Sequence, residues 1–136
     1  MSKTYVLDAN AVLSYIEGQP GAMRMVQLFK DARDDNSPAL MSVINLGEVF
    51  YYMWHKYGEE SARSMLADLS RLPIQMVTVD HPYAIEAAGI KARHKIPYVD
   101  ALAAALAVMR QAVLVTSDSD FEKLGHRLQV LWLPHS

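Results

Sequence analysis

Short unbroken apolar runs alternate with longer stretches of helical period along this chain. Thr4–Leu7, Ala39–Met41, Gln75–Val79, Val113–Thr116 and Leu128–Leu133 read as strands. Between them, Ala9–Glu17 reads as a short helix stopped by Gly18 and Pro20, and Gly21–Arg33 as a helix with Met25, Leu28 and Phe29 in one stripe. Asp34–Pro38 is a loop by its turn residues. Ser42 is the expected N-cap of a helix reaching about Tyr57, with Leu46, Val49, Phe50, Met53 and Trp54 on one face and Gly58 ending it. Glu59–Ser70 forms a further helix. His81–Lys95 is entered through Pro82, and Pro97 opens an alanine-rich helix over Tyr98–Gln111. Phe121–Leu124 is a helical turn closed by Gly125.

The strands are continuously apolar instead of alternating. Strands of that kind, separated by helices, build a parallel sheet covered on both faces, a three-layer α/β/α sandwich. At 136 residues one domain, 1–136, is expected. Its 51% hydrophobic and 21% charged residues exclude a disordered chain. Cysteine is absent, so no disulfide framework and no thiolate ligand is available. The N-terminus lacks the layout of a signal peptide, and the apolar run Ala101–Met109 is too short to span a bilayer. A cytoplasmic protein without membrane contact is expected. The formal charge of −2 excludes nucleic-acid binding by overall charge, so any such binding has to use local patches.

Two strands end in carboxylates. "YVLDAN" runs into Asp8, and "LVTSDSDF" runs into Asp118 and Asp120. Glu48 lies in mid-helix among Leu46, Gly47, Val49 and Phe50, with no Lys or Arg four residues away on either side. Asp100 sits in the first turn of the helix opened by Pro97. Right-handed crossovers bring the carboxyl ends of parallel strands and the starts of the following helices to one edge of the sheet. Singly, Asp8 and Asp118 read equally well as helix caps, and Asp100 as a residue favoured by the helix dipole. Together they read as a site. Two carboxylates about 4 Å apart repel by about 4 kcal/mol at an effective dielectric near 20, so four of them call for a cation. Oxygen ligands select Mg²⁺ or Mn²⁺. Zinc is disfavoured, because His55, His81, His94, His126 and His135 show no ligand spacing. A hard cation held by carboxylates suits chemistry on phosphates.

"VLDANAVLSYI", "SVINLGEVFYY", "IPYVDALAAALA" and "LVTSDSDF", in this order and spacing, resemble the PIN domains, and within them the small VapC-type toxins of toxin–antitoxin pairs. The resemblance spans nearly the whole chain. It implies a mainly parallel, Rossmann-like sheet and a Mg²⁺- or Mn²⁺-dependent endoribonuclease. The implied enzyme makes single-strand cuts in a structured RNA such as tRNA or rRNA and so inhibits translation. It implies that Asp8, Glu48, Asp100 and Asp118 form the catalytic, metal-holding set, with Asp120, Asn10 and Thr116 as accessory positions. Ala9 stands where family members commonly carry Thr or Ser, which removes one hydroxyl and leaves the acids intact. A VapB-like antitoxin and a homodimer are also implied.

RNA would need cations outside the acidic set. Lys91, Arg93, His94 and Lys95 precede Asp100; Arg24, Lys30 and Arg33 lie on an early helix; Lys56 and Arg63 flank Gly58. Any of these reads equally as a solvated face. Tyr51, Tyr52 and Trp54 read as base-stacking or partner-binding residues, with Trp54 expected in the core or at a subunit contact. The rivals are a catalytically silent PIN-fold binding module, a HAD-like phosphatase and a receiver-type domain. Asn10 stands where the phosphatase needs a second Asp. For the receiver, Asp80 would be the phospho-acceptor, but no Lys follows the last strand.

Overall fold

The alternation of runs is realised as β1 (Tyr5–Leu7), α1 (Ala9–Ile16), α2 (Ala22–Asp34), β2 (Ala39–Ser42), α3 (Val43–Tyr57), α4 (Glu59–Leu69), β3 (Ile74–Val77), α5 (His81–His94), α6 (Tyr98–Met109), β4 (Val113–Thr116), a 3₁₀ segment (Ser119–Arg127) and β5 (Val130–Trp132). The computed structural model describes residues 3–134; Met1, Ser2, Ser136 and His135, one of the five histidines, lie outside the described residues.

All five strands among the described residues pair in parallel, in the order β3-β2-β1-β4-β5. The chain builds outwards from β1 to β3, crosses back, and builds outwards again from β4 to β5. The direction of winding therefore reverses between β1 and β4, the place where open α/β sheets leave a crevice beyond their carboxyl ends.

Register sorts the strand residues into two cores. Val6 lies beside Leu40 and Leu114, and these three pack with α5, α6 and the 3₁₀ segment on one face. Leu7, Met41 and Val115 point to the other face, against helices α1 to α4. Both faces are covered, which explains why the strands carry no polar alternation. The result is the expected α/β/α sandwich.

Helix α6 is buried along residues 101–107. It touches β1, β2, β4, α3 and α5, so no side of it is left to water. Five of those seven residues are alanine, which lets the helix lie close to its neighbours and sets the height of Asp100 in its first turn. Helix α3 starts where expected, with Ser42 Oγ accepting from the Ile44 N–H at 3.0 Å. Gly58, at φ +95°, closes it, a conformation that favours glycine.

Three expectations need correction. Val49 and Met53 are buried, but Trp54 is 43% exposed and only leans an edge on Phe50, with ring centres 5.7 Å apart. It sits at the margin of the α3 stripe, outside the core; the other half of the expectation, a subunit contact, is compatible with that exposure. The turn at Phe121–Leu124 extends over the whole 3₁₀ segment, because the Asp118 side chain caps it from outside and Gly125 kinks it instead of ending it. The last strand is also shorter than its apolar run; Leu128 and Leu133 are buried beyond the ladder.

Close packing of α6 predicts that Ala104→Leu, at a fully buried position, destabilises the fold by about 1–3 kcal/mol. Urea unfolding should show a lower midpoint with an unchanged m-value. An unchanged midpoint would mean that α6 is packed loosely.

Candidate functional site

The acids meet at the reversal of winding. Asp8 leaves β1 and Asp118 leaves β4, the two strands that flank it. Asp100 comes from the first turn of α6. Carboxylate oxygens of Asp100, Asp118 and Asp120 all lie within 4.8 Å of one another. Asp8 stands close enough to Asp100 and Asp118 to feel both charges, and Asp100 feels Asp118, Asp120 and Glu48. Glu48 is exposed on α3. The structure thus gathers the four sequence-predicted acids and Asp120 at one edge.

Asp8 caps α1. Its Oδ1 accepts from the Ala11 N–H at 2.8 Å, and its Oδ2 accepts from the Thr116 hydroxyl at 2.5 Å. Thr116 Oγ1 in turn accepts from the Asp118 N–H at 2.9 Å, and Asp118 Oδ1 accepts from the Asp120 N–H at 2.9 Å. One hydroxyl therefore ties the ends of β1 and β4 together. A carboxylate offers about four lone-pair sites. Asp8 spends two on the protein, so it retains capacity for a cation.

The electrostatics are unfavourable without one. Asp8 is only 3% exposed, and burial pushes its carboxyl up from 3.8 to about 7. The Thr116 and Ala11 hydrogen bonds oppose this, and the Asp100 and Asp118 charges add to it. Burial also raises Asp100, to about 6, with Asp118, Asp120 and Glu48 contributing. Among the described residues, Asp8, Asp100 and Asp118 have no Lys or Arg ion partner, and Asp120 has only Lys123 at 4.0 Å. An all-oxygen, like-charged cluster fits a hard divalent cation.

Other expected residues lie around this core or away from it. Asn10 is half-buried in α1, and its side chain makes no hydrogen bond among the described residues. Arg24, Lys91, Arg93 and Lys95 are exposed on α2 and around the end of α5. Lys91 Nζ donates to the Ile96 carbonyl at 3.1 Å. Lys56 is engaged more fully: its Nζ donates to Glu17 Oε2 at 2.8 Å and to the Tyr52 hydroxyl at 2.9 Å. Lys30 and Arg63 pair with Asp34 and Glu59 on their own helices. Asp80 caps α5 beyond the edge strand β3, far in strand order from the reversal of winding.

Two positioning groups were not legible as functional. Asn45 is buried on α3, one turn before Glu48, and its Nδ2 donates to the Val99 carbonyl at 3.2 Å, next to Asp100. It heads the buried series Asn45, Val49 and Met53, and a polar residue in that series was the available signal. Glu17 accepts from Lys56, from Tyr57 at 2.6 Å and from Tyr52 at 3.0 Å, clamping the end of α1 to α3. Burial alone would raise the Glu17 carboxyl, but these donors outweigh it and hold it below its usual value.

Residues 5–127 match the family model of the PIN domain. The chain belongs to the PIN domain family. A sequence search of curated proteins gives no match. Solved structures share the fold of this PIN domain at low identity. VapBC2 from Rickettsia felis, bound to a promoter DNA fragment, superposes with a TM-score of 0.76 at 18% identity, over 96% of this chain and 99% of that one. DNA-bound VapBC from Salmonella typhimurium gives 0.75 at 21%, over 96% and 98%. VapC20 from Mycobacterium tuberculosis, a sarcin–ricin loop cleaving toxin, gives 0.67 at 19%, over 90% and 95%.

Two outcomes follow for this PIN domain. Raised carboxyl pKa values mean that the metal-free folded chain holds protons more tightly than the unfolded chain. The stability these groups add is full below about pH 4 and is lost as pH rises through about 6 to 7. Melting temperature in EDTA should therefore fall between about pH 5 and pH 8. Asp8→Asn should remove most of that slope, a difference on the order of 3 kcal/mol. A flat profile would contradict the burial of Asp8. Separately, Thr116→Val should destabilise the metal-free fold by about 1–3 kcal/mol by deleting a buried hydrogen bond, while Thr116→Ser, which keeps the hydroxyl and loses one buried methyl, should cost less. Equal stabilities would show that the Asp8–Thr116 bond contributes nothing.

Proposed function

We propose that this PIN domain is a Mg²⁺- or Mn²⁺-dependent endoribonuclease, the toxin of a toxin–antitoxin pair, which cuts a structured RNA such as tRNA or rRNA and so inhibits translation in the cytoplasm. The observation that carries the reading is the group of Asp100, Asp118 and Asp120 oxygens within 4.8 Å, set beside buried Asp8 and without a Lys or Arg partner for Asp8, Asp100 or Asp118 among the described residues. A protein does not maintain such a cluster for stability, since like charges and desolvation both oppose it.

In this reading Asp8, Asp100 and Asp118 hold the cation, directly or through water, and Asp120 extends the set. When bound, the ion supplies Lewis-acid polarisation of the phosphoryl oxygens and a more acidic water. Glu48, exposed on α3 at the rim of the cluster, orients the attacking water and accepts a hydrogen bond from it. Thr116 and Asn45 position the acids: the hydroxyl of the first orients Asp8, and the amide of the second ties the start of α6 to α3. Asn10, half-buried beside Asp8 in sequence, is an accessory polar position. Phosphates of the RNA are gripped by exposed cations, Arg24, Lys91, Arg93 and Lys95; Lys56, engaged by Glu17, contributes less.

A VapB-like antitoxin and a homodimer belong to the same reading. They are supported by the fold shared with VapBC2 from Rickettsia felis and VapBC from Salmonella typhimurium. Among the described residues no helix is long and apolar enough to cross a membrane.

Purified protein free of antitoxin should cut total bacterial RNA at discrete positions in Mg²⁺ or Mn²⁺ and not in EDTA. Asp8→Asn and Asp100→Asn should each lower the rate by about 100-fold or more. Folded protein that binds Mn²⁺ yet cuts no RNA would contradict the nuclease and favour a binding module.

A further inference from the structure

The exposed face of α3 continues outward from the acidic edge. Ile44, Glu48, Tyr51 and His55 follow one another at helical spacing, so they share that face. Glu48 is its acidic member. Gly47 beside it leaves open space, with no atom within 4 Å of where a Cβ would stand. One turn further on, Tyr51 is 67% exposed. Its ring lies nearly parallel to that of His55, at 12° with centres 6.1 Å apart.

Tyr51 is unlike the other tyrosines nearby. Tyr52 and Tyr57 put their hydroxyls on Glu17, Tyr83 bonds the Leu102 carbonyl and Tyr98 the Ala84 carbonyl. Those rings serve the fold. Tyr51 makes no hydrogen bond among the described residues and leaves one broad face to water. A flat aromatic surface backed by a second ring suits a planar π-system, and every nucleobase offers one. Its position suits a nucleotide too. Tyr51 stands about 4.5 Å along the helix axis from Glu48, within reach of a base next to a phosphate held at the acids. Exposed apolar side chains also stand on this helix, Ile44 beyond Glu48 and Trp54 one turn from Tyr51; what favours a nucleotide is that the ring adjoins the acidic edge, where a phosphate would be held.

We propose that Tyr51, backed by His55, is a stacking platform for an unpaired nucleobase adjacent to the scissile phosphate. Tyr51 then favours an unpaired or splayed base at the cut over a paired one, without reading which base it is. The inference rests on the nuclease reading above.

The test uses a short synthetic RNA spanning a cut mapped in total bacterial RNA, in versions with one abasic ribose at each position flanking the cut. Tyr51→Ala should raise KM roughly 10- to 100-fold with little change in kcat, and Tyr51→Phe should restore it. One flanking abasic position should weaken cleavage by the unsubstituted protein, and that penalty should vanish in Tyr51→Ala. A purely structural role would not produce this coupling. If Tyr51→Ala leaves KM and the abasic penalty unchanged, the platform is overturned while the nuclease stands. If Tyr51→Ala instead weakens only antitoxin binding, the face is a protein-docking surface and the proposal is equally overturned. If the unsubstituted protein cuts no RNA, the nuclease reading falls first and this one with it.

Discussion

Burial of the Asp8 carboxyl is the constraint to which the rest of the site answers. A charge with so little access to water is unfavourable by several kcal/mol unless something compensates it. The sheet compensates in part. Thr116 and the Ala11 N–H give Asp8 two hydrogen bonds, and the N-terminus of α1 adds the favourable end of its dipole. Asp100 and Asp118 then work against that compensation by adding like charge. A cation would relieve such a group, and that is the role the proposed function gives it.

Topology explains why the acids can come from such distant parts of the sequence. Strand order β3-β2-β1-β4-β5 places the ends of β1 and β4 side by side and leaves the crossover through α5 and α6 to return over that edge. Residues 8, 100 and 118 then meet without any long loop. The thin, alanine-lined α6 lets Asp100 approach, and the Glu17 clamp fixes α1 against α3, the helices that follow Asp8 and carry Glu48. Aromatic side chains on α3 divide their work accordingly: Tyr52 and Tyr57 hold the clamp, while Tyr51 is left facing outward beside Glu48.

Much of this was legible in the chain. Unbroken apolar strands between helices implied a parallel sheet covered on both faces, and two strands ending in carboxylates pointed at its carboxyl edge. Ser42 and Gly58 marked the limits of α3 through ordinary capping chemistry. What could not be read depends on contacts between remote residues. Strand order is one, because each apolar run pairs equally well with any other. The Glu17 clamp is another, joining residues 35 to 40 positions apart, so Lys56 looked like a free cation when it is an engaged one. Trp54 shows the limit of periodicity: it has the spacing of the α3 stripe, yet the curvature of the helix surface leaves it at the margin. Asn45 carried a signal, a polar residue on a buried line, but only its Val99 partner gives that signal meaning.

The most direct measurement is the carboxyl titration of Asp8 and Asp100 by ¹³C NMR, in EDTA and then in Mg²⁺. A coordination shell waiting for its cation predicts midpoints near 7 and 6 in EDTA and a large drop for both in Mg²⁺. Midpoints near 4 in both conditions, or elevated midpoints that Mg²⁺ leaves in place, would contradict it.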